Sequence, residues 1–239
     1  MKRTNRIMSA FRLALVLGAL MLPAPVVAQD AAQRVREAFP PQVAERIEAI
    51  ARSAAAEGAP PGPLYHKALE GAAKRVPPGR IIPAVDAYAN RLVTARKALG
   101  TTRAPLIVAG ADAISRGVSP ELLAQMADEG VRRGPRSVLI LADLVERGVP
   151  TDRALEVVRE ALRTRQAEAD MAAISGTVER MIRNGDAPGD VARRLVQHMR
   201  RGLRIRQMRD VPRNMVRDRP GPPVAPGVET VDKKPGGMG

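Results

Sequence analysis

The chain has 239 residues, of which 45% are apolar and 27% charged, a composition that suits one folded domain with appendages. It contains no cysteine, which excludes disulfide bonds and thiolate metal sites, and its only aromatic residues are two Phe and two Tyr. The net charge of +14 is unevenly distributed, since residues 190–219 hold ten Arg against three Asp. Basic charge is therefore a local feature of the C-terminal region.

The first 28 residues have the pattern of an export signal. Four basic residues precede an apolar run, and small residues at positions 26–28 allow cleavage before Gln29. The run from Leu13 to Ala28 contains two prolines and is shorter than the roughly 20 residues that a membrane-spanning helix needs. We therefore predict a cleaved signal peptide at residues 1–28 and export to the periplasm or the medium. An uncleaved membrane anchor is the alternative.

Short joints rich in glycine and proline divide the rest of the chain. In the joint that begins at Gly148, the glycine can adopt the left-handed conformation that ends a helix, and Pro150 prevents the helix from continuing. Thr151 is predicted to cap the next helix there, as Ser119 is in an earlier joint. Similar joints begin at residues 58, 75, 117 and 185. Such joints predict a string of antiparallel helices.

Apolar residues between the joints recur at helical spacing. Ile82, Val85, Ala89 and Leu92, for example, step by three or four residues and share one helix face. No segment shows the sustained alternation of apolar and polar residues that is typical of a strand. The pattern predicts helices near residues 31–38, 42–56, 61–75, 79–99, 104–116, 120–130, 135–147, 152–166, 168–184 and 189–209.

These elements predict an all-α fold. We expect residues 29–210 to form a bundle of antiparallel helical hairpins, or a solenoid-like stack of such hairpins, without a strict repeat length. Residues 211–239 are rich in Pro and Gly and show little apolar periodicity. They are predicted to form an extended or disordered tail.

The stretch GAPPGPLYHKALEGAAKRVPPGRIIPAVDAYANRL, residues 58–92, resembles a pattern found in uncharacterised exported proteins of bacteria. In that pattern a similar spacing of Lys, Glu-Gly, Lys and Val-Pro-Pro precedes an apolar helix. The resemblance implies a helical exported protein. It assigns no activity, cofactor or site.

Two groups of polar residues are candidates for chemistry. Lys67, Glu70 and Lys74 share one helix face, where a ladder of solvated ion pairs is favoured over a catalytic Lys-Glu pair. His66 and His198 are the only histidines and belong to no zinc-binding motif, so no metal site is predicted. The chain also lacks the Gly-x-Ser-x-Gly and phosphate-binding glycine motifs, and no cofactor is predicted.

The segment 189–209 predicts a basic amphipathic helix. Projected on a helix, its apolar residues from Val191 to Leu203 occupy one sector and its arginines the opposite sector. Such a helix packs its apolar stripe on the neighbouring helices, docks on an anionic surface, or does both. The candidate partner-binding residues are Arg193, Arg194, Arg200, Arg201 and Arg204.

The predicted function is binding rather than catalysis. We expect an exported, non-enzymatic protein whose partner is an anionic component of the cell envelope, namely lipid headgroups, an acidic polysaccharide or an acidic protein. The alternative is an envelope hydrolase that works through carboxylates, although few aromatic platforms are available for a sugar cleft. Nucleic-acid binding fits the charge but conflicts with export and with the scarcity of stacking aromatics. The sequence does not indicate an oligomeric state.

Overall fold

The computed structural model describes residues 24–128 and 134–210, which form ten α-helices followed by a short 3-10 helix and contain no strand. The helices are α1 (Ala24–Ala38), α2 (Pro41–Ala56), α3 (Gly62–Ala73), α4 (Pro78–Leu99), α5 (Ala104–Ser115), α6 (Pro120–Asp128), α7 (Arg136–Glu146), α8 (Thr151–Arg163), α9 (Glu168–Arg183), α10 (Pro188–Arg200) and the 3-10 helix (Ile205–Asp210). The predicted all-α fold is confirmed, and every predicted helix is present. Most of the predicted signal peptide and the whole predicted tail at 211–239 lie outside the described residues.

The joints end their helices by the predicted glycine geometry. Gly148 has φ +79°, and the Val149 N–H donates to the carbonyl oxygen of Leu144 at 3.0 Å. That bond folds the chain back over the last turn of α7 and satisfies a carbonyl that the helix leaves unpaired. The glycines at 58, 117 and 185 also have positive φ. The sequence pattern therefore located these helix ends.

The two predicted N-terminal caps differ in outcome. The Ser119 Oγ accepts a hydrogen bond from the Leu122 N–H at 3.2 Å, which confirms the predicted cap. The prediction for Thr151 is wrong, because Pro150 occupies the cap position with extended backbone and Thr151 is already the first helical residue. No side chain caps α8.

The helices stack in chain order. The principal contacts join each helix to neighbours one or two positions away, as in the pairs α1 with α3, α2 with α4, α5 with α7, and α8 with α10. None of the principal contacts joins the first helices of the described chain to the last ones, as a closed bundle would require. Within the described residues, this pattern favours the solenoid-like stack over the closed bundle.

Two groups of buried aliphatic side chains form the core. One lies among α1 to α5 and the other extends from the end of α4 to the 3-10 helix. They adjoin where α4 crosses α5, and there Gly110 faces Ala95 and Leu99. A glycine at this position lets the two helix backbones approach closely.

The last predicted helix is shorter than expected. α10 ends at Arg200 because Gly202 takes φ +74°, and the Leu203 N–H donates to the carbonyl oxygen of His198 at 3.3 Å. The chain then enters the 3-10 helix, whose Ile205 is fully buried in the second core group. Arg201, Leu203 and Arg204 consequently lie beyond α10, which corrects the predicted amphipathic helix over 189–209.

Across the described residues, none of the helices combines the length and the apolar character required to span a membrane.

Candidate functional site

The apolar stripe of α10 packs against the rest of the protein. The helix contacts α8 and α9. Its buried apolar residues are Val191, Ala192, Leu195, Val196 and Met199. The packing role predicted for this stripe is confirmed within α10 but not for Leu203, which is exposed beyond the helix end. Any contact with a partner must therefore use the remaining face or the helix ends.

Two of the candidate arginines lie near the start of α10 and are paired. Arg193 forms an ion pair with Asp190 at 2.7 Å, and Arg194 forms one with Asp186 at 2.8 Å. The Arg194 side chain is only 24% exposed. Since a helix rises about 1.5 Å per residue, Arg193 is about 10 Å along the axis from Arg200. The structure therefore does not bring the five candidate arginines together in one cluster.

Arg200 connects α10 to α8. Its guanidinium lies 3.0 Å from a Glu156 oxygen and 3.6 Å from a Glu160 oxygen. Glu160 is buried and also accepts two hydrogen bonds from Arg163, the shorter at 2.5 Å. The hydrogen bond from Arg163, followed by the charges of Arg163 and Arg200, lowers the pKa of Glu160 despite its burial. This cluster holds two helices together and keeps Glu160 ionised.

Other arginines form similar links between successive hairpins. Arg116 at the end of α5 pairs with Asp112 at 3.0 Å and approaches Glu146 of α7 at 3.4 Å. Arg147 at the end of α7 lies 3.3 Å from an oxygen of Asp143 and the same distance from one of Glu179, on α9. A large share of the positive charge is therefore neutralised within the fold.

Three arginines near the C-terminal end differ from these. Arg165, Arg201 and Arg204 are exposed, and none of them forms an ion pair with another described residue. They lie on two joints that are held together, because the Gln166 side chain donates a hydrogen bond to the carbonyl oxygen of Leu203 at 3.4 Å. We call these three residues the arginine edge.

Arg165 adopts a conformation that is unusual for its residue type. Its φ is +50°, in the left-handed region that glycine occupies at other joints, such as those of Gly148 and Gly202. Sequence reasoning missed this residue because the joint between α8 and α9 contains neither glycine nor proline. The available signal was the break in apolar periodicity between Leu162 and Met171. Arg75 shares this conformation, with φ +55°, so the backbone alone does not assign a role to Arg165; its place beside the joint of Arg201 and Arg204 does.

The second joint is fixed to the body of the protein by polar contacts. Asp170 in the first turn of α9 is fully buried and accepts hydrogen bonds from the backbone N–H of Arg206 at 3.3 Å and from its Nε at 3.1 Å. His198 Nε2 lies 3.1 Å from the carbonyl oxygen of Arg204, a distance that suits a hydrogen bond donated by the imidazole. These contacts position Arg201 and Arg204 next to the joint that carries Arg165.

The remaining polar candidates are the Lys-Glu-Lys group on α3 and the possible metal ligands. Glu70 is paired with Lys67 at 3.1 Å and with Lys74 at 2.5 Å, which confirms the predicted surface ladder. Hydrogen bonds from Lys74 and then Lys67 lower the pKa of Glu70. Over residues 24–128 and 134–210, no three His, Asp or Glu side chains come together in a way that could hold a metal ion.

Unpaired guanidinium groups on a fixed backbone can bind phosphate or carboxylate groups through charge-assisted hydrogen bonds. No family model, curated protein or solved structure matches the chain. The resemblance of residues 58–92 to exported bacterial proteins stays a prediction. The arginine edge is therefore the feature from which a function is best inferred.

Proposed function

We propose that this protein is exported and acts without catalysis, by binding an anionic component of the cell envelope through the arginine edge. One observation carries the proposal. Arg165, Arg201 and Arg204 are exposed without a carboxylate partner among the described residues, whereas Arg193, Arg194 and Arg200 are all paired.

The predicted partner-binding residues accordingly divide into two groups. Arg201 and Arg204 remain candidates for contact with the partner, and Arg165 joins them. Arg193, Arg194 and Arg200 support the fold through their ion pairs. A basic side chain near an anionic surface contributes about 1 kcal/mol, so three of them contribute about 3 kcal/mol, on the order of 100-fold in affinity.

Export is compatible with the packing of the first helix. α1 begins at Ala24, so cleavage before Gln29 would remove about the first turn and a half of this helix. The described side chains begin at Asp30, and the buried ones of this segment, which are Ala31, Val35 and Phe39, all follow the cleavage position. The processed chain would retain every buried side chain of the described core.

The hydrolase alternative has less support. The buried carboxylates among the described residues are Glu160 and Asp170, and each is engaged by arginine. A general acid in a glycoside hydrolase needs a raised pKa, whereas the pKa of Glu160 is lowered. Glu160 therefore lacks the surroundings that this chemistry requires, and Asp170 is held by the backbone N–H and Nε of Arg206.

A matched pair of triple variants tests the proposal. The first replaces Arg165, Arg201 and Arg204 with Gln. The second makes the same change at Arg46, Arg75 and Arg80, which are also exposed and form no ion pair with described residues. Arg75 shares the left-handed backbone of Arg165, with φ +55°. Both variants therefore remove three positive charges and leave Gln at one left-handed position each.

Binding is measured against anionic lipid vesicles, an acidic polysaccharide and polyglutamate at several salt concentrations. We expect the unmodified chain to bind at least one of them with an affinity that falls as salt rises, because exposed charges are screened. The first variant should lose on the order of 100-fold and the second should keep most of its affinity. Equal losses in both variants, or no binding to any of the three, would refute the proposed function.

A further inference from the structure

Leu203 lies beside the residues of the arginine edge and is exposed. It follows Gly202 and sits between Arg201 and Arg204 in the sequence. It is 40% exposed, and among the described residues the only other exposed large apolar residue is Leu139, at 39%. The backbone of Leu203 is held by two hydrogen bonds, one to His198 and one from Gln166. Its position is therefore defined by the fold.

The other joints show why this exposure is unusual. Six of them have an equivalent residue, directly after the left-handed one, whose N–H bonds back to the carbonyl five residues earlier. That residue is apolar and buried at three of these joints, where Ala59 is 3% exposed, Val118 2% and Val149 3%. At the other three it is half-buried, and it is Val76, Gln166 or Asp186. Leu203 has the same backbone hydrogen bond and a larger apolar side chain than any of these, yet it is 40% exposed. The ordinary packing role of this position does not account for it.

An apolar side chain between unpaired cations is suited to a lipid surface. Guanidinium groups can bind the headgroup phosphates while the leucine enters the boundary between headgroups and acyl chains. An acidic polysaccharide or polypeptide provides the negative charge but no apolar layer. The geometry points to an anionic membrane surface as the partner, with Leu203 as the inserting residue. This inference rests on the proposed function.

Substitution of the two exposed leucines tests this assignment with a matched control. Leu203→Asn and Leu139→Asn are compared by sedimentation with phosphatidylcholine vesicles that contain phosphatidylglycerol, in the full chain and in the chain that begins at Gln29. We expect Leu203→Asn to weaken vesicle binding on the order of fivefold, because the exposed part of one leucine leaves the lipid. Leu139→Asn should have no effect. Neither change should alter binding to polyglutamate.

A fluorescent reporter gives a second measurement that does not depend on affinity. The chain contains no tryptophan, so Leu203→Trp introduces a single indole, and Leu139→Trp provides the control. With anionic vesicles, the emission of Leu203→Trp should shift to shorter wavelength and be quenched by brominated acyl chains. The emission of Leu139→Trp should not change.

The outcomes separate this inference from the proposed function. If polyglutamate or the polysaccharide binds at the arginine edge while vesicles do not, the lipid assignment is overturned and anion binding stands. The same holds if vesicles bind but Leu203→Asn has no effect and the indole at position 203 stays in water. If none of the three anionic materials binds, both proposals fail together.

Discussion

The crossing of α4 and α5 allows a prediction in which one substitution has opposite effects at two sites. A Cβ atom added at Gly110 would lie 2.8 Å from the Leu99 Cδ1 and 2.9 Å from the Ala95 Cβ. The leucine methyl can rotate away, but the Ala95 Cβ is fixed to its backbone. Gly110→Ala therefore requires the two helices to separate.

Gly176, in the interior of α9, provides the matched control. Apart from its chain neighbours and the nearby backbone of its own helix, a Cβ atom there would have no atom within 4 Å, and the φ of Gly176 is not positive. Replacing a glycine inside a helix by alanine stabilises the folded state by about 0.5–1 kcal/mol when nothing else changes. Gly176→Ala should show this gain.

The sign at Gly110 follows from two opposing effects. The same gain of up to about 1 kcal/mol is offset by overpacking, which typically costs about 1–3 kcal/mol. Because one of the two close contacts involves an immobile atom, we expect the upper part of that range. Gly110→Ala should therefore destabilise the protein by about 1–2 kcal/mol.

The assay is urea denaturation followed by far-ultraviolet circular dichroism. Stacked helices can unfold in more than one step, so the midpoints of all transitions are compared among the three proteins. A lower midpoint for Gly110→Ala together with a higher one for Gly176→Ala is expected. If Gly110→Ala is as stable as the unmodified chain, the close approach of α4 and α5 described above is wrong.

Two further predictions concern charge and backbone strain. The pKa of Glu160 is lowered below its ordinary value of 4.5, so its ion pairs stabilise the fold above that pH, and the stabilisation is lost as pH falls through the folded-state pKa. Glu160→Gln should reduce the free energy of unfolding at neutral pH by about 1 kcal/mol, and the difference from the unmodified chain should vanish in acid; a difference that persists in acid would contradict this explanation. Arg165→Gly and Arg75→Gly should each raise the free energy of unfolding by about 1 kcal/mol, because glycine adopts the left-handed region without strain. Only Arg165→Gly should weaken anion binding. Equal binding by these two variants would remove Arg165 from the arginine edge.

Much of the fold could be predicted because its signals are local. Helix ends at glycines such as Gly117 and Gly148 follow from the conformations open to one residue and its neighbours. α8 ends about three residues before the predicted position. The reason is that Arg165 adopts a left-handed conformation that is uncommon for arginine and that its residue type does not indicate. The end of α10 was missed for a related reason: Gly202 was read as part of a continuous amphipathic pattern, although it ends the helix.

The candidate site could be predicted only in part. Sequence reasoning located a cluster of arginines near the C-terminus, and two of its five members belong to the arginine edge. It could not distinguish Arg200, which is paired with Glu156 on α8, from Arg201, which is not. The partner of Arg200 is 44 residues away in the chain, so only the packing of α10 on α8 creates the pair.

The sequence by itself determined the all-α class, the number and order of the helices and the concentration of positive charge, since each depends on residues close together in the chain. The tertiary structure decided that the helices stack in order, that Arg193, Arg194, Arg200 and Arg206 are paired with carboxylates, and that Arg165 and Leu203 lie beside Arg201 and Arg204. These features depend on which helices meet, and electrostatic pairing and exposure are properties of neighbours in space rather than in sequence.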